Sequence, residues 1–215
     1  MAGSLALRNC LIDGSNNCGL GLYRWNDVDG VLTEFSGNTI RNCDLAPVSM
    51  YGYNAVNCLV PGNTYQNENN YVYFYSNYGV AHLYDVDVRF RKLEIPYYFD
   101  SAQEWRGEKS VTIDPGVEML FGSGGLEVYG DMVFKAIGTD QEPIVFRPRD
   151  LQERWGGLRL SNSSSGNVVS HCVLQNGGSS SSSYGYAGTS LLYIGKDCKL
   201  TLTDNVIKNS RYFQP

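Results

Sequence analysis

Apolar and polar positions alternate along this chain in short runs, and turn residues close each run. In Asp85-Val86-Asp87-Val88-Arg89-Phe90-Arg91 every second residue is apolar, the signature of a strand with one buried face. Val111-Thr112-Ile113 leads into Asp114-Pro115-Gly116, a turn in which Pro pre-sets one φ angle and Gly supplies the next. Apolar runs follow at Val117 to Phe121, Leu126 to Tyr129, Met132 to Lys135, Ile144 to Phe146 and Leu158 to Leu160. Gly122-Ser123-Gly124-Gly125, Gly130-Asp131 and Gly138-Thr139-Asp140 separate them. No useful length of chain carries a 3.6-residue period, so the pattern predicts an all-β chain.

A phrase recurs within that pattern. It reads Asn9-Cys10-Leu11-Ile12-Asp13, then Asn38-Thr39-Ile40-Arg41-Asn42, then Asn63-Thr64-Tyr65-Gln66-Asn67. It returns as Cys172-Val173-Leu174-Gln175-Asn176 and Asn205-Val206-Ile207-Lys208-Asn209. Neighbouring copies lie 29, 25 and 33 residues apart, within the range of stacked repeats. Each has an apolar centre and ends in Asn or Asp, which tolerate a left-handed backbone at a turn. Asparagines in register can also ladder from coil to coil. A β-sandwich has many short strands too, but its strands have no reason to resemble one another. Residues 82–109 break the rhythm and are expected to form an insertion or a junction within a single domain spanning 1–215.

Some of these segments resemble a known family. Val111 to Phe121, Leu126-Glu127-Val128-Tyr129-Gly130, Pro143-Ile144-Val145-Phe146 and Trp155-Gly156-Gly157-Leu158 look like bacterial right-handed parallel β-helix repeat proteins of the pectin-lyase-like superfamily. The resemblance is closest over residues 109–177. The expected architecture is therefore a right-handed parallel β-helix, a solenoid of roughly eight coils spaced by about 4.8 Å. The resemblance also implies a secreted or surface protein, but the fold hosts lyases, hydrolases, adhesins and fibres alike.

Composition narrows the readings. Charged residues make up 18% and the net charge is -5, with no basic block of the kind that phosphate binding needs, so a nucleic-acid partner is not expected. No apolar run is long enough for a helical membrane span. The start, Met1-Ala2-Gly3-Ser4-Leu5, lacks the basic region followed by an apolar region of a signal peptide. The six cysteines, at 10, 18, 43, 58, 172 and 198, form no C-x-x-C pair, which leaves a zinc site without support. They read as small buried thiols, with a Cys10–Cys18 disulfide as the alternative.

Three features bear on chemistry. The outward row Asp85, Asp87, Arg89 and Arg91 contains what a polysaccharide lyase uses, carboxylates for calcium and an Arg as base. The bland alternative is a solvated face of compensating charges. Calcium enters only with the lyase reading; otherwise no cofactor or metal is expected. His171, beside a repeat phrase, and the Ser-rich loops around 162–166 and 177–185 read as structural. Tyr71, Tyr73 and Tyr75 alternate with Val72 and Phe74, which sets three rings on one outer strip with Tyr53 and Tyr78 nearby. Such a strip suits carbohydrate binding, or it packs for stability.

The first reading of function is a non-catalytic extracellular or cell-surface module for structure, adhesion or carbohydrate binding. A polysaccharide lyase or glycoside hydrolase on the same fold is the second, and a self-assembling fibre subunit the third. Repeat phrases close to both ends leave the terminal coils with open ladders, so self-association through them, head-to-head or head-to-tail, is expected.

Overall fold

The computed structural model describes residues 5–23, 32–75, 80–82, 86–162, 164–178 and 190–211. Strand accounts for 54% of the chain and helix for 3%, against about 30–35% helix in an ordinary domain. The protein is all-β, and its sheets are parallel.

The strands recur in groups. β1 (Leu5–Arg8), β2 (Leu11–Ser15) and β3 (Cys18–Tyr23) precede β4 (Leu32–Ser36), β5 (Thr39–Cys43) and β6 (Ala46–Tyr51). A 3-10 turn at Tyr53–Cys58 then leads to β7 (Thr64–Gln66) and β8 (Val72–Phe74). Next come β9 (Val80–His82), β10 (Val88–Phe90) and β11 (Tyr97–Phe99), then β12 (Gln103–Gly107), β13 (Ser110–Ile113) and β14 (Glu118–Phe121). β15 (Leu126–Gly130), β16 (Val133–Ile137) and β17 (Ile144–Pro148) follow. The last groups are β18 (Leu158–Asn162), β19 (Asn167–Ser170) and β20 (Cys172–Gln175), and β21 (Leu192–Ile194), β22 (Leu200–Thr203) and β23 (Val206–Lys208).

One long sheet has the order β3-β6-β8-β11-β14-β17-β20-β23. The β9 sheet runs β9-β12-β15-β18-β21 and the β10 sheet runs β10-β13-β16-β19-β22. Ahead of them lie the pair β1-β4 and the sheet β2-β5-β7. From β9 onward each strand pairs with the strand three places away, so every parallel connection crosses through the other two sheets. Residues 86–109 supply β10, β11 and β12, registered as Val88 on Val111, Tyr97 on Met119 and Gln103 on Leu126. The shorter first sheets give way to the β9 and β10 sheets in this part of the chain, while the long sheet runs through unbroken.

The first three copies of the phrase are β2, β5 and β7, paired with one another. The last two are β20 and β23, in the long sheet. Asn42, Asn176 and Asn209, which end their copies, have φ of 56°, 57° and 59°. Asparagines at the start of a copy span the corner between circuits. The Cys10 N–H donates to Asn38 Oδ1 (3.0 Å), and Asn38 Nδ2 donates to the Leu7 carbonyl (2.9 Å). Asn63 makes the same two bonds to the Asn38 N–H (3.1 Å) and the Phe35 carbonyl (3.0 Å). Asn205 repeats them on the Cys172 N–H and the Val169 carbonyl, both at 2.8 Å. At a corner the strands diverge, and a carboxamide supplies the donor and acceptor that the next peptide no longer can.

Inside, Phe74, Phe99 and Phe121 stack along the long sheet with centroids 4.6 and 5.3 Å apart, and Trp155 continues the stack 4.4 Å from Phe121. Phe90 stacks on Trp105 at 5.3 Å. Tyr53, expected beside an outer strip, lies in this core instead, stacked on Phe74 and donating to Gln103. The 3-10 turn carries it inward in place of a strand. All six cysteines are free, Cys10 and Cys18 included, and Cys43 and Cys172 are buried. Burial pushes the Cys172 thiol up to about 12, which leaves it inert as a nucleophile.

Candidate functional site

Asp85 lies outside the described residues, as does Tyr78. On β10, Val88 and Phe90 are buried and Arg89 is exposed, which is the alternation read from the sequence. The charged groups around them are each engaged with their neighbours. Asp87 accepts from the Ser110 N–H (2.8 Å) and hydroxyl (2.7 Å). Those two donors hold its carboxyl below the usual carboxylate range. Arg89 pairs with Asp114 at 2.8 Å, and Arg91 donates to the Asn57 carbonyl at 2.8 Å. The row therefore ties β10 to the turns beside it. No group of three His, Cys, Asp or Glu among the described residues is arranged to hold a metal ion.

The tyrosines stand on the outer face of the long sheet, opposite the buried Val72 and Phe74. They do not form an open platform: Tyr71 is 5% exposed and Tyr73 9%. Tyr98 of β11, in register with Tyr73, closes over them with centroids 4.9 Å from Tyr71 and 5.8 Å from Tyr73. Tyr75 meets Tyr73 edge-on at 5.0 Å. Tyr73 donates to Asp100 at 2.6 Å, and burial pushes its hydroxyl pKa upward. Arg149 completes the cluster. Its guanidinium carbon lies 5.2 Å from the centroids of both Tyr71 and Tyr98, and its Nη2 donates to Asn69 at 3.2 Å. Arg149 is exposed and pairs with no carboxylate among the described residues. Arg147, two residues earlier on β17, pairs with Glu118 at 2.5 Å.

The sequence alone pointed to Tyr71, Tyr73 and Tyr75 but not to Tyr98, Asp100 or Arg149. Tyr98 lies within the stretch that broke the rhythm. Arg149 comes from two circuits beyond Tyr98, and only the strand register sets it over these rings. Tyr97-Tyr98 offered the one local signal, a second aromatic pair beside an apolar position.

Two further constellations come from register. On the outer face of the β9 sheet, Glu104, Glu127, Arg159 and Tyr193 are in line across four strands. Arg159 pairs with Glu127 at 2.9 Å and lies over Tyr193 at 4.8 Å. Burial raises the Glu127 pKa, more than Arg159 lowers it, and Glu104 adds to the rise. Near the corner of β19, Ser170 Oγ lies 2.9 Å from His171 Nδ1, and His171 Nε2 lies 3.3 Å from Asp140. That is the order of a hydroxyl, imidazole and carboxylate relay. Yet Ser170 is buried and its oxygen accepts from Thr203 at 2.9 Å, so the group braces β19 against β22 instead of presenting a nucleophile. The side chain of His82 lies outside the described residues.

Comparison of the chain with family models, with curated proteins and with solved structures finds no match in any of the three.

Proposed function

We propose that the chain is a right-handed parallel β-helix that works outside the cell, secreted or at the surface, as a non-catalytic module binding acidic carbohydrate. Strands paired in parallel at every third position support the winding. Crossovers between parallel strands of one sheet are right-handed in nearly all proteins. The pectin-lyase-like resemblance over residues 109–177 supports the same architecture and is the basis for placing the protein outside the cell.

The observation that carries the binding reading is Arg149 lying over Tyr71 and Tyr98. A guanidinium over ring faces still has N–H donors to offer a carboxylate, although here Nη2 also donates to Asn69. The stack itself is worth about 0.5–1 kcal/mol at an exposed site. The tyrosines then serve to aim the cation, and the half-buried Tyr75 and Tyr98 supply the rim. A uronate-containing polysaccharide offers the carboxylates and hydroxyls that such a surface takes.

Affinity electrophoresis tests this. Gels containing pectate or alginate should retard the protein relative to plain gels, neutral glucan should not, and Arg149→Ala should lose most of the retardation. Equal retardation of the variant, or of the wild type by neutral glucan, would overturn the reading.

A second reading, a glycoside hydrolase or lyase, is favoured by one observation: Glu104 and Glu127 are neighbours on β12 and β15, with the Glu127 pKa raised. A carboxyl whose pKa burial raises, with a second carboxylate beside it, is an arrangement that general acid and base chemistry uses.

A further inference from the structure

Four phenols, Tyr71, Tyr73, Tyr75 and Tyr98, meet on the outer face of the long sheet, and Tyr73 differs from the rest. It donates to Asp100 Oδ2 at 2.6 Å, the length of a hydrogen bond to an ionised carboxylate. Three phenols elsewhere have weaker acceptors. Tyr53 donates to the Gln103 amide, Tyr97 to the Arg91 carbonyl, and Tyr129 reaches Glu104 only at 3.3 Å. Arg149 lies over Tyr71 and Tyr98, Arg106 over Tyr129 and Arg159 over Tyr193. A cation over a ring opposes the loss of an electron from it. Among the described residues no cation lies over Tyr73.

A phenol that loses an electron becomes a strong acid. At Tyr73, 9% exposed, a bare radical cation would be a buried charge, and burial opposes the phenolate as well. Asp100 removes both difficulties, because the proton crosses the existing hydrogen bond as the electron leaves. A phenol and a carboxylate become a neutral phenoxyl radical and a neutral carboxylic acid, so the pair loses a charge and gains none. Asp100 then donates back along the same bond, while its other oxygen keeps the Ser101 hydroxyl at 3.2 Å. The neighbouring rings supply the way out. Tyr75 and Tyr98 are half-buried, with centroids 5.0 and 5.8 Å from that of Tyr73.

We propose that this cluster is a redox site. A one-electron oxidant of phenols, such as a small inorganic radical or the oxidised haem of a peroxidase, takes an electron at Tyr75 or Tyr98. Tyr73 replaces that electron and becomes the phenoxyl radical, with its proton on Asp100. The oxidant is reduced by one electron. A one-electron reductant such as ascorbate later returns an electron to Tyr73, Asp100 returns the proton, and the phenol is restored.

Oxidation of the 215-residue chain by azide radicals in pulse radiolysis tests this, with electron paramagnetic resonance of freeze-quenched samples. A tyrosyl signal should form and outlive that of free tyrosine given the same dose. Tyr73→Phe should abolish the long-lived signal and Tyr97→Phe should keep it, with far-UV circular dichroism unchanged in both. Asp100→Asn should slow formation of the signal by at least about tenfold, through loss of one charge-assisted hydrogen bond. One readout needs no variant: in heavy water the wild-type radical should couple to a single exchangeable deuteron, the one held by Asp100. A signal no longer-lived than that of free tyrosine, or one lacking the deuteron, would overturn the proposal. So would persistence in Tyr73→Phe, loss in Tyr97→Phe, or an unchanged rate in Asp100→Asn. None of these outcomes bears on retention by acidic polysaccharide, so the binding reading stands or falls separately.

Discussion

Between Asn77 and Asn162 the chain contains no asparagine, and the corners there are built differently from those on either side. In the first circuits Asn38 and Asn63 carry the hydrogen bonds across the corner through side-chain amides. In the middle, glycines let backbone meet backbone directly. The Gly122 N–H donates to the Phe99 carbonyl at 2.8 Å, and the Gly156 N–H to the Gly124 carbonyl at 2.9 Å. A Cβ on Gly124 would fall 2.1 Å from the Ala102 nitrogen. The core changes with the corners. Leu22, Ile40 and Val48 with the ring of Phe35 fill the first circuits, and Phe90, Phe99, Trp105 and Phe134 fill the middle. One stacking problem thus has two solutions: polar groups that bridge a gap, and small residues that remove it.

The largest effect should come from closing a glycine corner. Gly124→Ala has no soft neighbour to displace, since the clash is with backbone, and should cost about 3 kcal/mol in urea unfolding. An unchanged midpoint would mean that the corner is looser than drawn.

Asn38→Ala should cost somewhat less, about 2 kcal/mol, because the Cys10 N–H and Leu7 carbonyl lose their partners. The two variants should also differ in kind. Amide exchange should rise around Cys10 and Leu7 for Asn38→Ala, and around Ala102 and Gly156 for Gly124→Ala. Identical exchange patterns would erase the distinction between the corners.

The smallest effect concerns Asp87, whose carboxyl is held below the usual range by Ser110. A carboxyl with a lowered folded pKa stabilises the protein above the unfolded value of 3.8 and loses that contribution as pH falls through the folded value. Asp87→Asn should therefore lower stability slightly at neutral pH and flatten the acid limb, so that the two proteins converge at low pH. An equally steep acid limb would assign that role to other carboxylates.

Much of this was legible in the chain. Alternation located the strands from β13 to β18 to within a residue or two, because each faces an apolar interior on one side. The repeat phrase marked the asparagine corners, since it supplies both the left-handed residue and the bridging amide. The tyrosine surface was only half visible. Which face Tyr71 and Tyr73 take follows from local alternation, but whether they stay open depends on Tyr98 and Arg149. Those residues arrive by register between circuits of unequal length, and no local pattern encodes it. Tyr53 was misplaced for the same reason: a fixed offset could not anticipate the 3-10 turn that carries it into the core.

The proposed role, polar groups that hold the circuits together and bind without catalysing, makes a sharp prediction. Incubating the protein with pectate, alginate and chondroitin, with and without calcium, checks it. Absorbance at ~235 nm reads the unsaturated product of lyase chemistry, and new reducing ends read hydrolysis. No product above a blank is expected over long incubation. Turnover that is lost in Glu127→Gln, or in Asp87→Asn or Arg89→Ala, would contradict it.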